Sequence, residues 1–311
     1  MPKEPYELDQ CALYKIKSPN QLCRVFGVNR RTLEGLANNE NRHRVFTLSP
    51  KSKKPRVVQE PIPELQRIHK KVTRYLSRIK SPSYLNSAIK SRSYITNAQP
   101  HIGSTRRFTV DIKSFYTSVS FAKVVWFFEE RMKCSREVAV LLTKIITYNG
   151  HLPTGSSSSP ILSYYAYSDM FDEICNLADN AGVTMTLYVD DLTFSGEGAD
   201  RYLLNDVIET IKKYGLVPHK IKTSNNKNGF VVTGVAVTRE RLKAPHIRHN
   251  EVHEVLKRFN RANDDERKKA IAKVYGKLNE LASLEGGIWN SRCSTMLGEK
   301  RRLQNQLQKD R

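Results

Sequence analysis

Three aspartates in an otherwise basic chain are the residues best suited to chemistry. Asp111 ends an apolar run, and Asp190 and Asp191 are adjacent between two further apolar runs. Carboxylate oxygens are ligands that Mg²⁺ prefers, and two such ions about 3.5–4 Å apart can activate a hydroxyl and stabilise a leaving pyrophosphate. An isolated Asp-Asp pair is more often a solvated turn. Together, the three carboxylates favour a two-metal site.

The segments around these aspartates predict a sheet that positions them. Residues 184–195 predict a β-hairpin with Asp190 and Asp191 at its tip, and 107–112 predict a strand that carries Asp111. Further elements are predicted as helices over 63–79, 120–132, 135–148, 161–180 and 200–215, and as one strand over 229–237. The order is βαββαβ-like, which indicates an α+β fold with helices on one side of a sheet.

The two ends of the chain have a different pattern. A helical region is predicted near 22–36, followed by a basic hairpin with strands over 42–48 and 56–58. From Pro245 onward only helices are predicted, over 246–260, over 264–284 and in a basic segment to 308. We therefore expect a subdomain boundary near residue 240.

Charge and cysteine content restrict the partners and the compartment. The 311 residues carry a net charge of +21, with basic flanks around a slightly acidic centre. Such an excess indicates a polyphosphate partner, although a solvated basic surface or a ribosomal-type binder fits charge alone. Five scattered cysteines without a CxxC pair favour reduced thiols and a cytoplasmic location. We expect no secretion signal and no membrane span.

Several motifs resemble those of reverse transcriptases, in that family's order along 42–240. YVDD (188–191) resembles the YxDD box, and DIKSFY (111–116) resembles the first catalytic box. The resemblance implies that Asp111, Ile112, Asp190 and Asp191 hold two Mg²⁺ ions. It also implies that Tyr116 blocks a ribose 2′-OH.

Other boxes imply nucleotide-binding roles. LPTGSSSSP (152–160) resembles the LPQGxxxSP box, which implies that the loop at Gly155 contacts the incoming nucleotide; Thr154 replaces the commoner Gln. GLVPHKIKT (215–223) resembles the GLxxNxxKT segment, with His at 219 instead of Asn, and implies that Lys222 protonates pyrophosphate. Lys54 and Arg56 match a basic hairpin that grips the triphosphate of a dNTP.

Two further boxes resemble those of retron reverse transcriptases, namely NAQPH (97–101) and VTG (232–234). The resemblance implies a bacterial enzyme that copies its own folded non-coding RNA into DNA from a guanosine 2′-OH. The product is a branched RNA–DNA hybrid that acts in anti-phage defence with an effector protein. The RNA or DNA contacts it implies are Asn97, His101, Val232, Thr233, Gly234, Arg248, Lys257, Arg258 and Lys268.

The resemblance also implies a right-hand polymerase architecture. The expected parts are an N-terminal helical extension over 1–41, interleaved fingers and palm over 42–110 and 113–180, a palm core over 105–240 and a helical, RNA-binding thumb over 241–311. Two alternatives remain open: another bacterial class, such as a group II intron or diversity-generating reverse transcriptase, and an RNA-binding protein that has lost catalysis. Three mutually repelling carboxylates argue against the second.

Overall fold

Short strands alternate with helices in the computed structural model, which describes residues 4–49, 55–225 and 229–309. The strands are β1 (His43–Leu48), β2 (Arg56–Pro61), β3 (Arg107–Ile112), β4 (Thr184–Tyr188), β5 (Asp191–Ser195), β6 (Pro218–Ser224), β7 (Phe230–Val232), β8 (Val235–Val237) and β9 (Leu242–Lys243). The helices are α1 (Pro19–Phe26), α2 (Arg30–Asn38), α3 (Pro63–Leu76), α4 (Tyr94–Ala98), α5 (Phe115–Ser118), α6 (Phe121–Trp126), α7 (Arg136–Ile146), α8 (Ser159–Ala166), α9 (Ser168–Asn180), α10 (Arg201–Lys213), α11 (His246–Arg261), α12 (Asp264–Glu285) and α13 (Ile288–Lys309).

These elements form two units by their contacts. The first contains Met1–Ser93 and Arg106–Thr223, and the second contains Tyr94–Thr105 and Ser224–Arg311. Helices and antiparallel strand pairs occur together, so the predicted α+β class is confirmed. No helix in the described part of the chain is long and apolar enough to cross a membrane.

A four-stranded sheet in the order β4-β5-β3-β6 carries the three aspartates. The predicted hairpin is confirmed: β4 and β5 pair antiparallel from Thr184 opposite Ser195 to Tyr188 opposite Asp191. Strand β3 pairs antiparallel with β5 on its other side, as its apolar pattern predicts. The fourth position belongs to β6, which contains most of the GLVPHKIKT segment and for which no strand was predicted.

The single strand predicted over 229–237 is wrong. This segment forms a hairpin of β7 and β8, which joins β9 in a separate three-stranded sheet. The chain reverses at Thr233 and Gly234, whose φ angles are +45° and +78°. Left-handed backbone at both central residues is what a two-residue type I′ loop requires, and Thr-Gly lacks the usual Asn or Asp signal for it.

Periodicity predicted the helices of the first unit well, except at their boundaries. In α3 the side chains of Leu65, Ile68 and Val72 are buried, as their spacing predicts, but the helix ends at Leu76. The helix predicted over 161–180 is two helices, α8 and α9, interrupted at Tyr167. Three helices have side-chain N-caps, because Ser120, Ser135 and Asp200 accept hydrogen bonds from the first turns of α6, α7 and α10.

The second unit contains two small cores. Ile271, Val274, Leu278 and Leu281 lie at helical spacing on α12 and are buried against α11 and α13. A separate cluster joins the segment containing α4 to the β7-β8-β9 sheet through Ala98, Val232, Val235, Val237 and Leu242. The NAQPH and VTG segments therefore pack together, although 130 residues lie between them in the sequence.

Candidate active site

The tip of the β4–β5 hairpin places Asp190 in a two-residue loop. Val189 precedes it with a φ of +62°, a conformation that is unfavourable for a β-branched residue. The amide of Val189 donates to Ser87 Oγ at 3.0 Å, and the amide of Ile112 donates to the Asp190 carbonyl at 2.9 Å. The loop is therefore fixed from both sides in a conformation of the kind that costs about 1–3 kcal/mol.

Asp111 lies directly opposite Asp191 in the β3–β5 register. Residues paired in this way have Cβ atoms about 4.5–5.5 Å apart on one face of the sheet. Burial raises the pKa of Asp190 to about 6, and the charges of Asp191 and Asp111 add to the shift. Burial, followed by the charge of Asp111, also raises the pKa of Asp191. The three carboxylates thus form one partly buried cluster whose members repel one another.

Two lysines of β6 partly offset this repulsion. Lys220 Nζ lies 3.0 Å from Asp111 Oδ2, and the charges of Lys220 and Lys222 both lower the pKa of Asp191. Lys222 is exposed beside the carboxylates, where the sequence motif predicts a lysine. Lys220 was not predicted as a site residue. Its only signal in the sequence is that it is a basic residue two positions before Lys222.

The oxygen donors of the cluster are of the type that Mg²⁺ prefers. Ile112 has a hydrocarbon side chain, which is fully buried, so its main-chain carbonyl supplies the one oxygen of this residue. Within the described ranges, however, no three His, Cys, Asp or Glu side chains converge closely enough to enclose a metal ion. Asp111 is instead paired with Lys220. The donor set fits a divalent cation, and the Lys220 contact occupies only the Oδ2 atom of Asp111.

Tyr116 lies on α5, directly after the strand that carries Asp111. Its side chain is half-buried, and burial followed by the charges of Asp190 and Tyr188 raises the pKa of its hydroxyl above the ordinary value. The hydroxyl is therefore protonated at neutral pH and close to the carboxylate cluster. Its position agrees with the predicted contact to a nucleotide sugar, and the role itself stays a prediction.

The loop containing Gly155 is tied to strand β2. The Gly155 amide donates to the Gln59 carbonyl at 3.1 Å, and a Cβ at position 155 would lie 2.8 Å from that same oxygen. Thr154 Oγ1 donates to the Val57 carbonyl at 3.0 Å and accepts from the Gln59 amide at 3.1 Å. The threonine that departs from the family pattern thus attaches the loop to the strand that begins at Arg56. Arg56 is exposed, and Lys54 lies outside the described residues.

One face of α3 holds the same loop from the other side. Gln66 accepts from the Ser157 hydroxyl at 3.2 Å, and Thr73 donates to the Ser157 carbonyl at 2.9 Å. Between them, the fully buried His69 contacts Ser156 Oγ through Nδ1 at 2.6 Å and the Ile145 carbonyl through Nε2 at 3.0 Å. Because a carbonyl only accepts, Nε2 carries the proton and Nδ1 accepts from Ser156.

Sequence reasoning missed these three α3 residues. Their only signal was the occurrence of polar side chains at positions 66, 69 and 73 on an amphipathic helix, and this pattern is common. Burial lowers the pKa of His69 to about 4, so the imidazole is neutral at physiological pH. The helix therefore positions the loop around Gly155 without bringing a charge to it.

The residues of the two retron-like boxes meet inside the second unit. Asn97 and His101 have no exposed surface, and Val232 is 1% exposed. Asn97 Nδ2 lies 3.5 Å from Thr233 Oγ1, which donates to the Tyr94 carbonyl at 3.2 Å. Thr233 and the adjacent Gly234 form the β7–β8 turn and are only partly buried. The buried members of the boxes fix this turn.

The predicted contacts on the C-terminal helices have different surroundings. Lys257 and Arg258 are exposed on α11, and Lys268 on α12 lies 3.7 Å from Asp265. Arg248 is already engaged, because it pairs with Glu280 and its guanidinium lies 5.3 Å from the centre of the Tyr94 ring. A Cβ at Gly234 would lie 2.9 Å from Arg248 Nη2. Arg248 therefore also supports the turn.

Comparison with known proteins agrees with this geometry. A family model described as reverse transcriptase (RNA-dependent DNA polymerase) matches residues 49–260, more than half of the chain. The chain therefore belongs to the reverse transcriptase family and is an RNA-directed DNA polymerase.

Its relatives narrow the class further. Retron Ec86 reverse transcriptase of Escherichia coli is 29% identical over 218 residues, which cover 68% of this chain and 68% of that protein. Retron Se72 reverse transcriptase of Salmonella heidelberg is 28% identical over 58% of this chain, and Retron Mx162 reverse transcriptase of Myxococcus xanthus is 26% identical over 64%. The matches span about half the length of these two relatives, 49% and 48%. The chain is thus a retron-type reverse transcriptase, as its motifs indicated.

Proposed function

We propose that this chain copies its own structured non-coding RNA into single-stranded DNA, starting from the 2′-OH of a guanosine and leaving a branched RNA–DNA hybrid. One observation carries the catalytic part of this proposal. Asp111, Asp190 and Asp191 form a buried, mutually repelling cluster at the end of a hairpin, with two lysines beside it. The similarity to retron enzymes supports the choice of template and product.

Two Mg²⁺ ions would be held by the three carboxylates together with the Ile112 carbonyl. When bound, such ions activate an attacking hydroxyl and neutralise the charge on departing pyrophosphate. Lys222 is placed to give a proton to that pyrophosphate. Lys220 would separate from Asp111 when an ion binds. Its ammonium group would then remain as a positive charge near the triphosphate.

The remaining residues around the cluster bind and select the dNTP. Tyr116 excludes a ribose 2′-OH, and the loop at Gly155 contacts the nucleotide while β2 and α3 hold it in place. Arg56, together with Lys54, grips the triphosphate. These roles require a rigid loop, and the hydrogen bonds of Thr154 and His69 supply that rigidity.

The right-hand division of the chain also belongs to the proposal, with fingers and palm up to residue 240 and an RNA-binding thumb over 241–311. Thr233, Gly234, Lys257, Arg258 and Lys268 contact RNA. Asn97, His101, Val232 and Arg248 act indirectly, by shaping the β7–β8 turn.

The cellular role follows the retron type. The hybrid and the enzyme act with an effector protein in anti-phage defence in the bacterial cytoplasm. The five cysteines, all present as free thiols, agree with a reducing compartment.

The test expresses the chain with its upstream flanking DNA and examines nucleic acid on a denaturing gel before and after treatment with debranching enzyme. The expected result is a small RNA-linked DNA that shifts on debranching. The double variant Asp190→Asn with Asp191→Asn should make none and should still bind RNA. Extension of an ordinary primer without a branched product would indicate another reverse transcriptase class, and the absence of both activities would indicate an RNA-binding protein.

A further inference from the structure

A basic cleft of about 860 Å³ lies in the first unit, outside the carboxylate cluster. The end of α3, the segment that follows it and Pro5 form its walls. Among the described residues that line it, five are basic and none is acidic; the basic ones are Arg74, Arg78, Lys80, Lys90 and Arg92. Such a concentration of one charge in a concave surface attracts and holds anions.

Three of these cations help to build the walls. Arg92 donates to the main-chain carbonyls of Pro82 and Leu85. Arg78 donates to the Glu4 carbonyl at 3.2 Å. Lys80 pairs with a glutamate of the N-terminal segment. These contacts fix the shape of the cleft and neutralise the charge of one lysine.

The charges of the other two cations are available to a ligand. Arg74 and Lys90 are exposed, and neither pairs with a carboxylate in the parts of the chain that the structure describes. The Arg74 guanidinium lies 5.3 Å from the centre of the Tyr75 ring, which also lines the cleft. Cations that follow a backbone, interleaved with aromatic faces, are typical of sites for single-stranded nucleic acid.

The segment that lines the cleft also supports the β4–β5 hairpin. In the same segment, the Tyr84 carbonyl accepts from the Leu187 amide at 2.7 Å, and the Asn86 amide donates to the Leu187 carbonyl at 2.8 Å. Ser87 then accepts from Val189 beside Asp190. Residues 84–92 thus connect the cleft to the strand that ends at the carboxylate cluster.

We propose that this cleft binds the phosphate backbone of a short single-stranded stretch of the template RNA, and this inference rests on the proposed function. A volume of about 860 Å³ is in the range of pockets that enclose a small ligand, which suits a few nucleotides of a single strand. Arg74 and Lys90 contact phosphates, and the Tyr75 ring positions the Arg74 guanidinium.

The test compares two double variants that remove equal charge from the first unit. Arg74→Ala with Lys90→Ala alters the cleft, and Arg24→Ala with Arg31→Ala removes two exposed arginines of α1 and α2 as the matched control. Binding is followed by fluorescence anisotropy across a salt titration. The probes are a labelled RNA template annealed to a DNA primer, with either a long single-stranded template overhang or a blunt end.

Each phosphate contact on a single strand contributes about 0.7 to the slope of log affinity against log salt. Loss of two contacts should therefore reduce the slope by about 1.4 and weaken binding at ~0.1 M salt by roughly 25-fold, on the overhang probe only. Lys90→Ala alone should reduce the slope by about 0.7. The control variant should bind both probes as the unmodified chain does.

Equal binding by the cleft and control variants would overturn the inference, and so would an equal loss on the blunt probe. Extension of the annealed primer with Mg²⁺ keeps this outcome separate from the proposed function. If the unmodified chain extends the primer and the cleft variants bind normally, only the cleft assignment fails. If the unmodified chain extends no primer, the polymerase proposal fails first.

Discussion

The buried imidazole of His69 should make the first unit sensitive to acid. A histidine in an unfolded chain titrates near pH 6.5, whereas burial lowers the pKa of His69 to about 4. The folded state therefore binds fewer protons between these values, so its stability is full above pH 6.5 and falls as the pH decreases toward 4. At pH 5 the loss from this group is about 2 kcal/mol, or 1.5 pH units at about 1.36 kcal/mol each.

The variant His69→Gln isolates this contribution. At pH 7 it should be less stable by roughly 1–3 kcal/mol, because Ser156 or the Ile145 carbonyl loses its partner. Between pH 7 and pH 5, however, it should lose about 2 kcal/mol less than the unmodified chain. His43 and His101, whose pKa values burial lowers to about 3 and about 4, titrate in both proteins and cancel in the difference.

Urea unfolding measures these differences in a Trp289→Phe background, where Trp126 alone reports on the first unit. His219→Gln, which removes an exposed histidine of that unit, is the matched control and should lose as much stability at pH 5 as the parent. The reasoning about His69 is refuted if His69→Gln and the parent lose equal stability between pH 7 and pH 5. In that case the imidazole is not protonated on unfolding in the way that its burial requires.

Three further predictions concern the site itself. Gly155→Ala should raise the KM for dNTP by about tenfold in steady-state extension, because the added Cβ would displace the loop from the Gln59 carbonyl, and overpacking costs about 1–3 kcal/mol. Lys220→Met should move the acid limb of the pH–rate profile to higher pH, because this lysine lowers the pKa of Asp191; an unchanged limb would contradict the pairing. In EDTA, Asp190→Asn should raise the melting temperature, because it removes a buried charge repelled by its neighbours; a lower value would show that repulsion does not dominate there.

Local pattern predicted the elements that bury one face. Strand β3 and the β4–β5 hairpin follow from alternating apolar residues, and α3 and α12 follow from helical spacing. The failure at 229–237 has a local cause. Thr233 adopts a left-handed conformation that its residue type disfavours, so the usual Asn-Gly or Asp-Gly turn signal is missing between two apolar runs. Packing of α4 on this hairpin over a long sequence separation then stabilises the turn.

The residues of the site also divide into those that the sequence predicted and those that it did not. Motifs identified the carboxylates and Lys222. Pattern also revealed the strands and the turn that position the carboxylates, whereas the strand β6 that carries Lys222 was not predicted. Lys220, Ser87 and His69 were missed, because each acts through a partner that is distant in sequence, such as Asp111 or Ser156. Pairings of this kind depend on how strands and helices pack, and a single sequence carries no record of them.

The β4–β5 hairpin contains the clearest departures from local backbone and electrostatic preferences. Val189 adopts an unfavourable backbone conformation, and the Asp190 carboxylate is partly buried beside two like charges. Each cost has an identifiable compensation, namely the Ser87 and Ile112 hydrogen bonds for the backbone and the β6 lysines for the charge. Local conflicts that the surrounding structure must offset are expected at functional sites. The lysines offset the negative charge of the three carboxylates only in part, so further cations would stabilise the cluster. This is the physical reason to expect divalent ions there.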